Sequence, residues 1–426
     1  MKKNIKINWL SFLCLVVCFG LAETATGQEL NPEPLGGWHI LQDDYDSSHS
    51  LDLISFEWDY YMIHDSSSGF YAIIGYLVSN PRHRLCEVVR FLPDGGNMAI
   101  VVQLRGDKPI SQYINFGIDR YEASPDERFF QAMDENADLY AEETPLWGEG
   151  PRGEDAMRIR GRSDFYEWDL VVNERWSDRP NGEYRPSAGH DIGRLPGEVW
   201  TVDVVWPSTE VRGTVRVLET GEIVEIEGHG YRENSWGRYA LTPDGWDFFV
   251  FSEDREDLES AGIEAEKGVS LVMQTYHKST SLDFADLSFY DGRELRNLRF
   301  KAEDGEMGWY HSSWRWDSEP WQCVPEDLVL VLENKAYRVD VDVTMGLENQ
   351  RPILSNLTAP VAIYFIQEMF PYFEGTIINK MTGKVVREFD GFGGGEFSFH
   401  KSARLWPAMG FECNLWGWHH FSHPLP

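Results

Sequence analysis

The chain has 426 residues, with 38 Lys and Arg against 70 Asp and Glu, a formal net charge of −32. So acidic a chain is repelled by phosphate backbones, which sets nucleic-acid binding aside, and it carries a well-solvated surface. The length is more than one ordinary core serves, so two domains are expected, and 17 Trp within 14% aromatics suggest broad apolar or sugar-stacking surfaces as well as core.

The first residues read as an export signal. Lys2, Lys3 and Lys6 precede an apolar run from Trp9 to Leu21, and Ala25-Thr26-Gly27 allow cleavage before Gln28. The run is too short for a comfortable membrane span, and no later stretch is a better one. The mature chain is therefore expected to be exported, periplasmic or secreted, with peripheral membrane contact left open. Leu15-Val16-Val17-Cys18 only loosely resembles a lipoprotein cleavage site, because Val precedes the Cys. Without the leader, Cys86, Cys323 and Cys413 remain: enough for one disulfide, with no zinc-like spacing.

Further along, the periodicity is that of strands. Phe70 to Val78 is a buried-strand run stopped by Asn80-Pro81, and 199–206, 213–218 and 222–226 are short strands separated by turn residues. The pattern continues through 269–276, 337–343, 361–365 and 376–389. One surface helix is expected over Asp126 to Tyr140, opened by Ser124-Pro125, and 176–197 reads as a long loop. The fold class is therefore all-β, with barrels or sandwiches and few helices.

The densest chemistry lies between Glu227 and Glu253. Gly230-Tyr231-Arg232-Glu233-Asn234-Ser235-Trp236-Gly237 is followed by Gly245-Trp246-Asp247-Phe248-Phe249. A carboxyl among indoles is raised in pKa by burial, and ring faces stabilise positive charge.

Three separated segments resemble the carotenoid 1,2-hydratase (hydroxyneurosporene synthase) and AttH-like family. Phe56-Glu57-Trp58-Asp59-Tyr60-Tyr61 with Gly69-Phe70-Tyr71 is similar to its opening strands, and the central cluster to its Gly-aromatic-acid-Trp motif. Tyr372-Phe373-Glu374-Gly375 with Gly391 to Phe397 is similar to its C-terminal pieces. The resemblance implies two tandem lipocalin-like (calycin) barrels, here a leader at 1–27, a first barrel at 28–220 and a second at 221–426. It also implies a hydrophobic ligand such as a terpenoid, polyene or lipid, bound without a cofactor and hydrated, isomerised or cyclised. Glu233 would be the acid, with Arg232 and Asn234 orienting polar groups. Tyr231, Trp236, Trp246 and Phe248 would form the apolar wall, and Glu57, Trp58, Tyr60 and Glu374 would be further contacts. Where the hydratase motif has His-Asp-His-Asn, this chain has Arg232 to Ser235, so both imidazoles are missing and no base replaces them in sequence.

Two other readings compete. A non-catalytic carrier would use the same cavity and aromatics, and a glycan-binding or glycan-cleaving protein would use stacked indoles and paired carboxylates. Gly393-Gly394-Gly395 is no phosphate loop and reads as a bulge or close strand crossing. His419, His420 and His423 do not make a metal set, since adjacent strand residues point to opposite faces. Oligomeric state is not legible.

Overall fold

The computed structural model describes residues 56–79, 95–117, 120–123, 130–132, 137–142, 156–174, 187–191, 199–238, 245–264, 267–276, 279–317, 322–355 and 364–400. The expected leader, Cys86, Cys413 and the histidines of the tail lie outside them.

The first half is one antiparallel sheet of twelve strands. In chain order they are β1 (Phe56–Asp65), β2 (Phe70–Ser79), β3 (Gly95–Leu104), β4 (Ile110–Gly117), β5 (Tyr121–Ala123) and β6 (Phe130–Ala132). They continue as β7 (Ala137–Glu142), β8 (Ala156–Arg162), β9 (Tyr166–Glu174), β10 (Ser187–Asp191), β11 (Val199–Val217) and β12 (Ile223–Arg238). The spatial order is β4-β3-β2-β1-β12-β11-β9-β8-β7-β6-β5, with β10 on the edge of β11. The sheet curls until its far edge meets its beginning. A Cβ on Gly96 of β3 would lie 2.5 Å from the Tyr121 ring of β5, so only glycine permits that closure.

The second half begins with β13 (Gly245–Ser252), a short helix α1 (Arg255–Ser260), β14 (Ser270–Tyr276), β15 (Ser279–Tyr290) and β16 (Leu295–Lys301). It continues with β17 (Met307–Asp317), β18 (Gln322–Glu333), β19 (Tyr337–Thr344), β20 (Gln350–Ser355) and β21 (Tyr364–Met369). It ends with β22 (Tyr372–Asn379), β23 (Lys384–Phe392) and β24 (Gly394–His400). A seven-stranded sheet in the order β16-β15-β14-β13-β24-β21-β20 covers a five-stranded sheet in the order β17-β18-β19-β22-β23.

Alternation along these strands sorts the apolar residues into three cores. Tyr61, Ile63, Ile74, Tyr76, Ile100 and their neighbours fill the first barrel. Phe249, Phe251, Leu271, Leu328, Val341 and Phe373 are among those filling the second. The third core lies between the halves, where Trp58, Tyr60, Met62, Ile73 and Val101 of the first sheet meet Trp246, Phe248, Val250 and Val272 of the second. Strand β2 is buried on both faces for this reason. That is why Phe70 to Val78 reads as an unbroken apolar run rather than an alternating one.

Several expectations change. The helix expected over 126–140 is instead strands β6 and β7, with Leu139 opposite Phe130; pairing in the sheet overrides a weak local helix preference. The expected loop at 176–197 contains β10. The strands expected at 199–206 and 213–218 are one strand, β11. Pro207 offers no N–H to the ladder there, and the register shifts between Val204 and Thr209 as a bulge. Strand β12 pairs with β1 and β11, so the first sheet runs on to Arg238, whereas the sequence reading ended the first barrel at 220. Cys323 is buried and disulfide-bonded.

Candidate functional site

The site is assembled at the third core, on the faces that the two sheets turn toward each other. In β12, Tyr231, Glu233 and Ser235 alternate onto that face. In β1, Trp58 and Tyr60 join them, because Tyr60 lies opposite Glu233 and Trp58 opposite Ser235. Glu233 is buried and accepts three hydrogen bonds. The Trp58 indole Nε1 and the Ser235 hydroxyl each donate to its Oε1 at 3.0 Å, and the Tyr231 hydroxyl donates to its Oε2 at 2.9 Å. Three donors favour the carboxylate, but burial and the charge of Glu396 favour the acid more strongly. The carboxyl is held up at about 7 instead of 4.5.

Two more carboxyls arrive from the second sheet. Glu368 on β21 and Glu396 on β24 are direct cross-strand partners, and their side chains hydrogen-bond to each other. Like charges this close cannot both ionise. Burial first, and then the Glu396 charge, raises Glu368 well above the carboxylate range, so the pair holds a proton between its two carboxyls. Burial raises Glu396 too, against its bonds to Glu368, Tyr60 and Trp246. The Tyr60 hydroxyl crosses from the first sheet to donate to Glu368 Oε2 at 2.9 Å, and the Trp246 indole donates to Glu396 Oε2 at 3.0 Å.

The two sides are built alike. Trp58-Asp59-Tyr60 and Trp246-Asp247-Phe248 each open the first strand of their half. Each pairs with the half's last strand in the same register: Trp58 opposite Ser235 and Tyr60 opposite Glu233, Trp246 opposite Ser398 and Phe248 opposite Glu396. In both, the indole N–H bonds the glutamate at 3.0 Å. The equivalent rings, Tyr60 and Phe248, meet edge to face at 6.4 Å, and Tyr231 lies 5.6 Å from Phe248. The aspartates of the two triplets point the other way, into the barrels. Asp59 is pinned by Arg232 through Nε and Nη2, both at 3.1 Å. Asp247 is held by His311 Nε2 at 3.0 Å and by the Thr275 hydroxyl at 3.3 Å.

Of the residues expected at the site, Glu233, Tyr231, Trp58, Tyr60, Trp246 and Phe248 come together. Arg232 does not. It is adjacent to Glu233 in a strand and so faces the first barrel's interior, 5.8 Å from the Tyr61 ring centre. Glu374 does not either: in β22 it alternates with buried Phe373 and Gly375 and is exposed on the outer face. The side chains of Glu57, Asn234 and Trp236 lie outside what is described. Glu368 escaped sequence reading. The available signal was a Gln-Glu pair inside the apolar run Tyr364 to Phe370, an acid that a buried strand does not carry without a purpose.

In fold, the chain is similar to a putative AttH from Nitrosomonas europaea, at 12% identity over 87% of this chain and 98% of that one, with a TM-score of 0.52. It is also similar to kievitone hydratase from Nectria haematococca, at 11% identity over 86% and 97% with a TM-score of 0.49. A third is CghA with Sch210972, at 10% identity over 88% and 96% with a TM-score of 0.43. No protein-family model and no curated protein matches the sequence. The AttH likeness is one of fold, and it agrees with the all-β, two-barrel architecture that the motifs implied.

Proposed function

We propose that the chain is an exported, cofactor-free acid–base enzyme of the carotenoid hydratase and AttH kind. It would act on an elongated, apolar, unsaturated substrate at the junction of its two halves. One observation carries the proposal: a buried carboxyl poised at about 7 stands among Trp58, Tyr231 and Ser235, beside a pair of carboxyls that shares a proton. A general acid works best with a pKa near the working pH.

In hydration, protonated Glu233 gives its proton to one alkene carbon, and the π electrons form the new C–H bond. Positive charge is left on the neighbouring carbon, where the faces of Tyr60, Tyr231 and Phe248 stabilise it. Water then adds to that carbon and its proton passes to Glu396, which supplies the base that the missing imidazoles provide in the hydratase motif. For isomerisation, Glu396 takes a proton from an adjacent carbon and no water is added.

The carrier reading needs open lumens. The described residues fill both barrels with their own buried side chains, which speaks against carriage inside a barrel. The disulfide at Cys323 supports an oxidising compartment, as an exported chain would meet.

The test is incubation of the purified protein with acyclic terpenoids and polyenes, followed by mass spectrometry of the products. The parent should yield a product changed by one water or by rearrangement. Glu233→Gln should bind the same compounds and return them unchanged. Full turnover by that variant removes Glu233 as the acid.

A further inference from the structure

A second site lies at the other end of the second half and shares no residue with the carboxyl cluster. The hairpins after β15 and β22, the turn ahead of β14 and the start of β19 border an open-mouthed cleft of about 770 Å3. That is within the roughly 300–1,000 Å3 of small-molecule sites. Its charge is opposite to that of the chain. Lys267, Arg293, Arg296, Lys384 and Arg387 line it, against the acids Glu264 and Asp291, in a protein with 70 acidic and 38 basic residues.

The acids are already committed. Asp291 accepts the backbone N–H groups of Arg293 and Glu294 at 2.9 and 3.1 Å, and Arg296 Nε at 2.6 Å, so it is spent in shaping the turn. Glu264 pairs with Lys267 at 2.8 Å. Arg293 and Lys384 have no acidic partner among the described residues. Arg387 is bound to Glu253 through Nη2 at 2.8 Å, while its Nε is buried without a partner. The Tyr290 and Tyr337 rings and the side chains of Ile263 and Val386 supply apolar wall between these cations.

We propose that this cleft binds a small organic anion, a carboxylate, sulfonate or phosphate group on an apolar or ring-shaped body. Lys384 and Arg293 receive the charged group, and the tyrosines and aliphatic side chains cover the body. The surrounding negative surface repels anions, so a local reversal of sign concentrates them at this mouth. The binding is independent of the junction chemistry.

Isothermal titration with naphthalene-1-sulfonate tests it, with neutral naphthalene-1-methanol and inorganic phosphate as comparisons. The sulfonate should bind one per chain and weaken with salt. Phosphate should bind more weakly, and the alcohol should give no heat at about 1 mM. Arg293→Glu with Lys384→Glu should weaken the sulfonate at least about tenfold. Both side chains are exposed, so the fold should persist. If circular dichroism shows otherwise, Lys384→Met alone, which keeps the stem, decides by a smaller loss of affinity. Glu233→Gln should leave the titration unchanged. Equal affinity in the charge-altered variants, equal binding of the alcohol, or no binding of the sulfonate overturns the proposal.

Discussion

Glu233 is one methylene longer than the acid of the hydratase motif it resembles, and the surroundings of its carboxyl decide what it does. Unfolded, it titrates near 4.5; folded, near 7. Between those values the folded chain holds a proton that the unfolded chain has released. Stability therefore falls as pH rises through that window, with no penalty below 4.5 and the full penalty above 7. The shift corresponds to about 3 kcal/mol. Glutamine imitates the protonated acid and never ionises. Glu233→Gln should accordingly match the parent near pH 4.5 and exceed it in stability at pH 8 by up to about 3 kcal/mol in denaturant melts. Turnover by the parent should decline above pH 7, as the acid loses its proton. Arg232, its neighbour in sequence, tells the opposite story. Its partner Asp59 is wholly buried, so Arg232→Met leaves a buried carboxylate without its guanidinium and should cost about 3–5 kcal/mol. Adding Asp59→Asn should recover much of that loss. If Arg232→Met melts like the parent and loses only turnover, Arg232 belongs to the chemistry and not to the barrel.

Element by element, what the sequence revealed depended on whether a residue type or a pairing carried the information. Aromatic and acidic letters in 227–253 marked the right strand, and the periodicity marked its neighbours. Strict alternation was also available, and it separates Arg232 from Glu233 and lifts Glu374 out of the site once both segments are taken as strands. Glu368 and the proton shared with Glu396 were not legible, since they depend on β21 pairing with β24. The likeness of the two Trp-Asp-aromatic triplets was present in the letters, but it acquires meaning only from their common register. Gly230 has a reason that belongs to this scale. A Cβ there would lie 1.8 Å from the backbone oxygen of Met62, so β1 and β12 approach as closely as they do only without one. Gly230→Ala should push these strands apart, strain the bond between Trp58 and Glu233, and destabilise by roughly 1–3 kcal/mol. Turnover should fall with it, while Glu225→Ala, exposed on the same strand, should change neither. An unaltered melt for Gly230→Ala would mean that the strands do not need that contact.

At the scale of the whole molecule, the site exists only while the two halves are joined. Its carboxyls come from both sheets, and the third core seals the joint. Polar ties cross it as well: Tyr60 to Glu368, Gln103 to Asn349 at 3.0 Å, His64 Nδ1 to the Phe392 carbonyl at 3.1 Å, and Ser208 with Ser252 at 2.8 Å. An interface this apolar makes each barrel part of the other's support, so the halves should unfold as one unit and calorimetry should show a single transition. Ile74→Ala removes side-chain volume from the first core alone, at a cost of about 2–5 kcal/mol. In the parent it should lower that single transition as a whole, including the signal of the second barrel. Val250→Asp places a charge among the apolar side chains of the third core, opposite the first sheet. That variant should split the transition in two and abolish turnover, and adding Ile74→Ala to it should then shift only one of the two. Two transitions in the parent, with Ile74→Ala moving only one, would show that the barrels are merely adjacent and that the carboxyl cluster needs some other force to hold it closed.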